Sequence, residues 1–305
     1  MRNLTWGVCA SIIVAVLAFL ALNATEKDLN LKSPFVPNEK IVGINQWFPK
    51  EVLGISLVNA PKISAESAIF IDTKTGEVLF SKNPQQLLSI ASLVKVMTVL
   101  IALEQRDFDD KYLVSTRASE MEPDEMILLP GETLTLKELL YGIFLVSAND
   151  AAEVIAEGTT GSREEFLKLM NDKALQIGMK DTYYANPTGL DEDESNSHST
   201  AYDLALLTRY LVRNYPEVVN ISKTSHILIP RTSTHQDYEM YSGINLLTTY
   251  EGVLGFKTGY TPQAGYTLIT LARKNNHEVI GVLLNSSSRR DEAKELLDYA
   301  FSKLN

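Results

Sequence analysis

The chain has 305 residues, 45% of them apolar and 22% charged, a balance that excludes a disordered tail or a disulfide-held miniprotein and indicates a globular fold. Its 28 basic and 38 acidic side chains leave a net charge of −10 with no basic block, which excludes nucleic acid as a partner. The single cysteine, Cys9, stands in an apolar leader. The remainder forms no disulfide, offers no thiolate to a metal, and depends on a buried core.

From Asn3 to Thr25 no side chain is charged, and as a helix this stretch would run about 34 Å against about 30 Å of hydrocarbon. Arg2 precedes it, while Glu26, Lys27 and Asp28 follow with a net negative charge. The positive-inside bias therefore predicts a membrane anchor in residues 1–25 with the rest of the chain outside the cytoplasm. A cleaved signal peptide is the alternative: Ala24 offers a small residue for cleavage, although Leu22 fits the small-x-small pattern poorly. Residues 26–62 contain Pro34, Pro37, Pro49 and Pro61 and read as a spacer. Residues 63–305 have the size of one large domain or two closely joined lobes.

Ala68–Asp72 and Glu77–Phe80 are β-runs joined by a turn containing Gly76, so a hairpin opens the domain. The middle is helical. Thr135 with Glu138 and Ser162 with Glu165 fit capping boxes, Gly178 stops the periodic run from Phe166 to Ile177, and Ser199 or Thr200 starts a helix through about Val212. Gly265–Leu271 and Glu278–Leu284 are again β-rich, and Asp291–Leu304 has the spacing of a closing helix with Tyr299 and Phe301 in the core. Strands, helices, then strands predict an α+β domain, its antiparallel sheet built from both chain ends with a helical lobe inserted.

The chemically informative segment is Ala91-Ser92-Leu93-Val94-Lys95, opening an apolar helical run toward Glu104. Three residues are nearly one helical turn, so Ser92 and Lys95 share a face, and a serine at a helix N-terminus has free N–H groups and the positive dipole end beside it. A serine hydroxyl needs a base to become a nucleophile, and a lysine serves once it is neutral. From an ordinary pKa of about 10.4, neutralising it at pH 7 costs roughly 4–5 kcal/mol, which the site must supply. Alone, the pair is as well read as a helix cap followed by a surface lysine. Two further motifs follow in order: Ser147-Ala148-Asn149 between helical segments, and Lys257-Thr258-Gly259 before the closing strands, where Gly259 permits close backbone approach. Ser81-Lys82-Asn83 and Lys74-Thr75-Gly76 repeat the short strings but precede Ser92, in the opening hairpin.

In this order the chain resembles penicillin-binding proteins and serine β-lactamases, and specifically the D-alanyl-D-alanine carboxypeptidase family of low-molecular-mass penicillin-binding proteins. The match runs from about Ala65 to Phe301 and includes Ile90-Ala91-Ser92-Leu93, Pro130-Gly131-Glu132, Ser147-x-Asn149-Asp150-Ala151-Ala152, Asn186-Pro187-x-Gly189-Leu190 and Lys257-Thr258-Gly259-Tyr260-Thr261. The resemblance implies the penicillin-binding-protein fold and a D,D-peptidase acting on peptidoglycan stem peptides without a cofactor. It implies Ser92 as nucleophile, Lys95 as its base, Ser147 as proton relay toward the leaving D-alanine, and Asn149 as the holder of Lys95 and the substrate amide. Lys257 and Thr258 would bind the terminal carboxylate, and the N–H groups of Ser92 and Tyr260, after Gly259, would form the oxyanion hole. β-Lactams are expected to acylate Ser92. Many members carry a further β-rich domain and a tail anchor, neither of which follows Phe301 before Asn305; the amino-terminal segment is the expected anchor instead.

Two alternatives remain. A β-lactamase on this scaffold needs a deacylating glutamate, which Glu192-Asp193-Glu194-Ser195-Asn196 matches only in part; by default Asp191–Glu194 reads as a solvated acidic loop. A wall-binding or β-lactam-sensing module could dispense with Lys95 or Ser147, yet both are present. His198, His226, His235 and His277 lack compact metal spacing and read as structural or surface residues. Arg290 matches a family arginine at the edge of the site but stands beside Asp291, so a surface role serves equally. Trp47 is a packing anchor or a membrane contact.

Overall fold

The structure, a computed structural model, describes residues 49, 59–191 and 196–304. The expected anchor, most of the spacer with Trp47, and the partial glutamate motif at 192–195 lie outside the described residues. Among those described, no helix is long and apolar enough to cross a membrane.

The opening hairpin is β1 (Ser67–Asp72) and β2 (Val78–Lys82). Its turn is closed by the Asp72 carboxylate, which accepts the N–H groups of Lys74 and Thr75. Short ladders follow from β3 (Leu88–Ser89), β4 (Lys111–Leu113), β5 (Thr133–Thr135), β6 (His198–Ser199), β7 (His226–Ile229) and β8 (Tyr238–Tyr241), in which β3 pairs with β6, β4 with β5 and β7 with β8. The chain then returns through β9 (Val253–Thr261), β10 (Gly265–Lys274) and β11 (His277–Ser286). The five long strands form one antiparallel sheet in the order β2-β1-β11-β10-β9. The first strand thus pairs with the last, as expected for a sheet made from both chain ends, and β9 is left at an edge beside the helical lobe.

Alternation along the strands divides the core in two. Ile69, Ile71, Ile269, Leu271, Ile280 and Val282 face the helical lobe. Ala68, Phe70, Leu268, Val279 and Leu283 face the closing helix Arg289–Lys303, which buries Leu296, Leu297, Tyr299 and Phe301 against them. In the lobe, Lys95–Gln105 is buried along nearly its whole length, as a helix enclosed by Leu136–Leu145, Asn149–Thr160, Arg163–Ile177 and Ala201–Asn214 must be. Thr135 and Glu138 form the full capping box, Thr200 caps the helix to Asn214, and Gly178 ends its helix with φ 92°. Ser162 caps through the Glu165 N–H, but its own backbone N–H donates to Thr160 Oγ1, so the box expected with Glu165 is formed only on one side.

Gly281 in β11 pairs with Phe70 in β1, and a Cβ at residue 281 would collide with the Phe70 ring. Gly281→Ala should therefore lower stability by about 1–3 kcal/mol through overpacking. Denaturation midpoints test this, and an unchanged midpoint would show that the ring has room to move.

Candidate active site

Ser92 does not open the long helix directly. It lies in a 3-10 turn, Ala91–Val94, and the α-helix begins at Lys95. The tighter turn still places the two side chains together: Lys95 Nζ is 2.8 Å from Ser92 Oγ. Lys95 is fully buried and Ser92 is 9% exposed.

The Lys95 amine has two further neighbours, Asn149 Oδ1 at 2.7 Å and the Thr188 carbonyl at 2.7 Å. Both oxygens only accept. A neutral amine has two N–H donors and one lone pair, so donation to these two oxygens leaves the lone pair directed at the Ser92 hydroxyl. Burial is the largest cause of a Lys95 pKa well below the usual lysine range, and the Lys257 charge adds to it; Asp124, Asp150 and Glu153 pull the other way. Burial and the Lys257 charge thus both favour the neutral amine, the form required of a base acting on a serine.

Lys257 is equally enclosed. Its Nζ donates to Ser147 Oγ at 2.8 Å and to the Thr258 carbonyl at 2.7 Å. Burial pushes its pKa down to about 7, with Asp124 opposing and Arg289 reinforcing that shift. Ser147 holds a left-handed backbone, φ 62°, a conformation that costs a non-glycine residue about 1 kcal/mol or more. The N–H groups on either side secure it: Val146 and Ala148 both donate to the Gly142 carbonyl, and Asn149 donates to that of Asp124. Ser92, Lys95, Ser147, Asn149 and Lys257 thus converge from three separate segments. The two earlier copies of the short strings are engaged elsewhere, Lys74 and Thr75 with Asp72 and Lys82 with the carbonyls of Ile63 and Ala65.

Two glycines allow the segments to meet. A Cβ on Gly259 would stand 2.6 Å from Thr267 Oγ1 and 2.9 Å from the Ser92 nitrogen, so β9 brings the Gly259-Tyr260 backbone alongside the Ser92 amide. Gly189, φ 83°, lies against the Ala91 carbonyl, where a Cβ would collide. The loop before Gly189 is tied by Asn186 Oδ1, which accepts the N–H groups of Thr188 and Gly189, and by Thr98 Oγ1 donating to the Pro187 carbonyl. Thr258 is half-buried at a cavity of about 50 Å³ lined also by Ile244, Leu246, Leu268 and Arg289. The Tyr260 side chain is 55% exposed and packs its ring on Tyr266 at 4.7 Å.

The family model described as D-alanyl-D-alanine carboxypeptidase matches residues 55–288. The chain belongs to this family. It is 38% identical over 247 residues to D-alanyl-D-alanine carboxypeptidase DacF of Bacillus subtilis (strain 168), covering 78% of this chain and 62% of that protein, so it spans less than two thirds of this relative. Its fold matches that of the Streptomyces K15 DD-transpeptidase with a TM-score of 0.73 at 27% identity, covering 79% of this chain and 98% of that one. The ampicillin-bound form of penicillin-binding protein D2 from Listeria monocytogenes matches with a TM-score of 0.66 at 29% identity, covering 79% and 98%.

Sequence reasoning missed several contributors. Thr188 reaches Lys95 through its backbone carbonyl, which no side-chain motif announces, although Asn186-Pro187-x-Gly189 carried a visible turn signature. Arg289, not Arg290, stands behind β9: it donates to the carbonyls of Gly259 and Thr267 and lies 5.0 Å from the Tyr266 ring. Arg290 also borders the cavity but is exposed and paired with Asp291 at 2.9 Å. Helix phase decides which of the two adjacent arginines faces the strand, and the sequence pattern at Ser288 to Asp291 does not reveal that phase.

Gly189→Ala should displace the Ala91-Ser92 turn and the Thr188 carbonyl together. The expected result is Ser92 acylation by labelled penicillin slowed on the order of 100-fold with retained secondary structure, in line with the cost of misplacing a reacting group by about 1 Å. Wild-type acylation in this variant would contradict the packing described.

Proposed function

We propose that this chain is a serine-type D-alanyl-D-alanine carboxypeptidase that trims peptidoglycan stem peptides through an acyl-enzyme on Ser92. The observation that carries the reading is the enclosed Lys95 amine, held between Ser92 Oγ, Asn149 Oδ1 and the Thr188 carbonyl, where burial and the Lys257 charge favour its neutral form.

In this scheme Ser92 Oγ bonds to the carbonyl carbon between the two terminal D-alanines as its proton passes to Lys95. The carbonyl oxygen becomes an oxyanion facing the N–H groups of Ser92 and Tyr260. Ser147, 2.8 Å from Lys257, relays the proton to the leaving nitrogen as the C–N bond breaks and free D-alanine departs. Water then attacks the ester with Lys95 again taking a proton, and Ser92 is restored. The Lys257 ammonium and the Thr258 hydroxyl hold the terminal carboxylate, and Asn149 fixes Lys95 and the substrate amide. The Lys257 pKa, pushed down to about 7 by burial, rises when a carboxylate arrives, since an opposite charge favours the ammonium. β-Lactams, which present a strained acyl group and a carboxylate, acylate the same serine.

The domain works outside the cytoplasm, held to the membrane by residues 1–25. The length of the uncharged stretch Asn3–Thr25 and the location of peptidoglycan support this.

The test is incubation of the purified protein with labelled penicillin and with a pentapeptide ending in D-Ala-D-Ala, alongside Ser92→Ala. A stable covalent adduct and released D-alanine are expected from the wild type, and neither from the variant. Adduct without peptide turnover would assign a sensor instead, and rapid hydrolysis of the penicillin a β-lactamase.

A further inference from the structure

The helix Asn149–Thr160 opens with two polar residues that grip the same loop. Asn149 holds its near end: the backbone N–H donates to the Asp124 carbonyl at 2.7 Å, and Nδ2 donates to the Pro123 carbonyl. Asp150 holds the far end. It is fully buried, and its carboxylate accepts the Met126 N–H on both oxygens at 3.0 Å and the Leu128 N–H at 3.1 Å. It also accepts the Ala151 N–H at 2.8 Å, one of those the first turn of a helix leaves free. Among the described residues it forms no ion pair.

A buried carboxylate is costly unless its oxygens are hydrogen-bonded, and here the loop supplies that bonding. The loop gains a fixed shape in return. Asp124 and Ile127 have left-handed backbones, φ 58° and 65°, which residues other than glycine hold only where their surroundings fix them. Met126 and Leu128 flank Ile127, so one carboxylate bonded to both fixes the turn between them. From the opposite hairpin side, Gln236 Nε2 donates to the Ile127 carbonyl at 3.0 Å, and Glu132 accepts the Leu129 N–H at 2.9 Å. Asp150 is the support that comes from the helix bearing Asn149.

We infer that Asp150 is a positioning residue for acylation: by fixing the loop it keeps the Pro123 carbonyl on Asn149 Nδ2, and so keeps Asn149 Oδ1 on Lys95. The inference rests on the function proposed above. An asparagine amide has one accepting and one donating end. With Nδ2 engaged by Pro123, Oδ1 stands 2.7 Å from the Lys95 amine. Were the loop to release Pro123, the amide would be free to reverse. Its Nδ2 would then meet the Lys95 N–H groups donor against donor and compete with Ser92 for the lone pair that a base must keep available.

Asp150→Asn keeps the size of the side chain but sets an NH2 group against the N–H groups of Met126 and Leu128. Acylation of Ser92 at saturating labelled penicillin should slow on the order of 100-fold, the cost of a misplaced reacting group. The initial non-covalent binding, made through the penicillin carboxylate at Lys257 and Thr258, should change far less. Because Asp150 acts through Asn149, adding Asp150→Asn to Asn149→Ala should slow acylation no further. Wild-type acylation in Asp150→Asn, a loss confined to binding, or losses that multiply in the double variant would each overturn the inference. Amide hydrogen exchange on the wild-type protein tests the loop without any variant: the N–H groups of Met126 and Leu128 should be protected, and exchange of both at the rate of open loop amides would overturn it. A folded wild type that is not acylated would instead remove the function on which the inference rests, with the exchange result still reporting on the loop.

Discussion

A lysine amine without access to water is the constraint around which this structure is arranged. As an ammonium, Lys95 would hold a full charge away from water with another cation, Lys257, nearby. As an amine it satisfies every neighbour, donating to Asn149 and Thr188 and accepting from Ser92. The cost of discharging it is met in the folded protein by burial on the long lobe helix and by the Lys257 charge. Carboxylates at Asp124, Asp150 and Glu153 restrain the shift, so the base is tuned between two opposing fields.

Separate features of the fold carry the groups gathered around that amine and its serine. The lobe helix carries Lys95, the 3-10 turn carries Ser92, and the start of the helix Asn149–Thr160 carries Asn149. The two-ended sheet delivers Lys257 on its edge strand β9. Gly189 and Gly259 are small because backbone from two other segments occupies the space beside them. Strain is stored where the segments meet, at Ala91 with φ 49° and Ser147 with φ 62°, and is held there by the surrounding hydrogen bonds.

Much of this was legible in the sequence. The β-rich runs at both ends of the domain and the caps at Thr135, Thr200 and Gly178 identified the elements, and the order of the three polar motifs identified the side chains that meet. The sequence was silent where backbone atoms do the work. The Thr188 carbonyl and the Pro123 and Asp124 carbonyls have no residue signature, and neither has the 3-10 geometry that replaces a helix start at Ser92. The assignment of Arg289 rather than Arg290 depended on a helix phase set by packing against β9 and β10. The copies of the motifs near the N-terminus show the converse: identical strings have no chemical consequence when hairpin hydrogen bonds already engage them.

The most direct measurement of the central claim is the protonation state of Lys95 itself. Nitrogen-15 NMR of lysine-labelled protein, with the Lys95 signal assigned by its loss in Lys95→Ala, reports amine against ammonium as pH is varied. The account predicts that Lys95 gives up its proton at a lower pH than the surface lysines, in step with the rise of Ser92 acylation. A Lys95 signal that titrates together with the surface lysines while Ser92 is already reactive would contradict it.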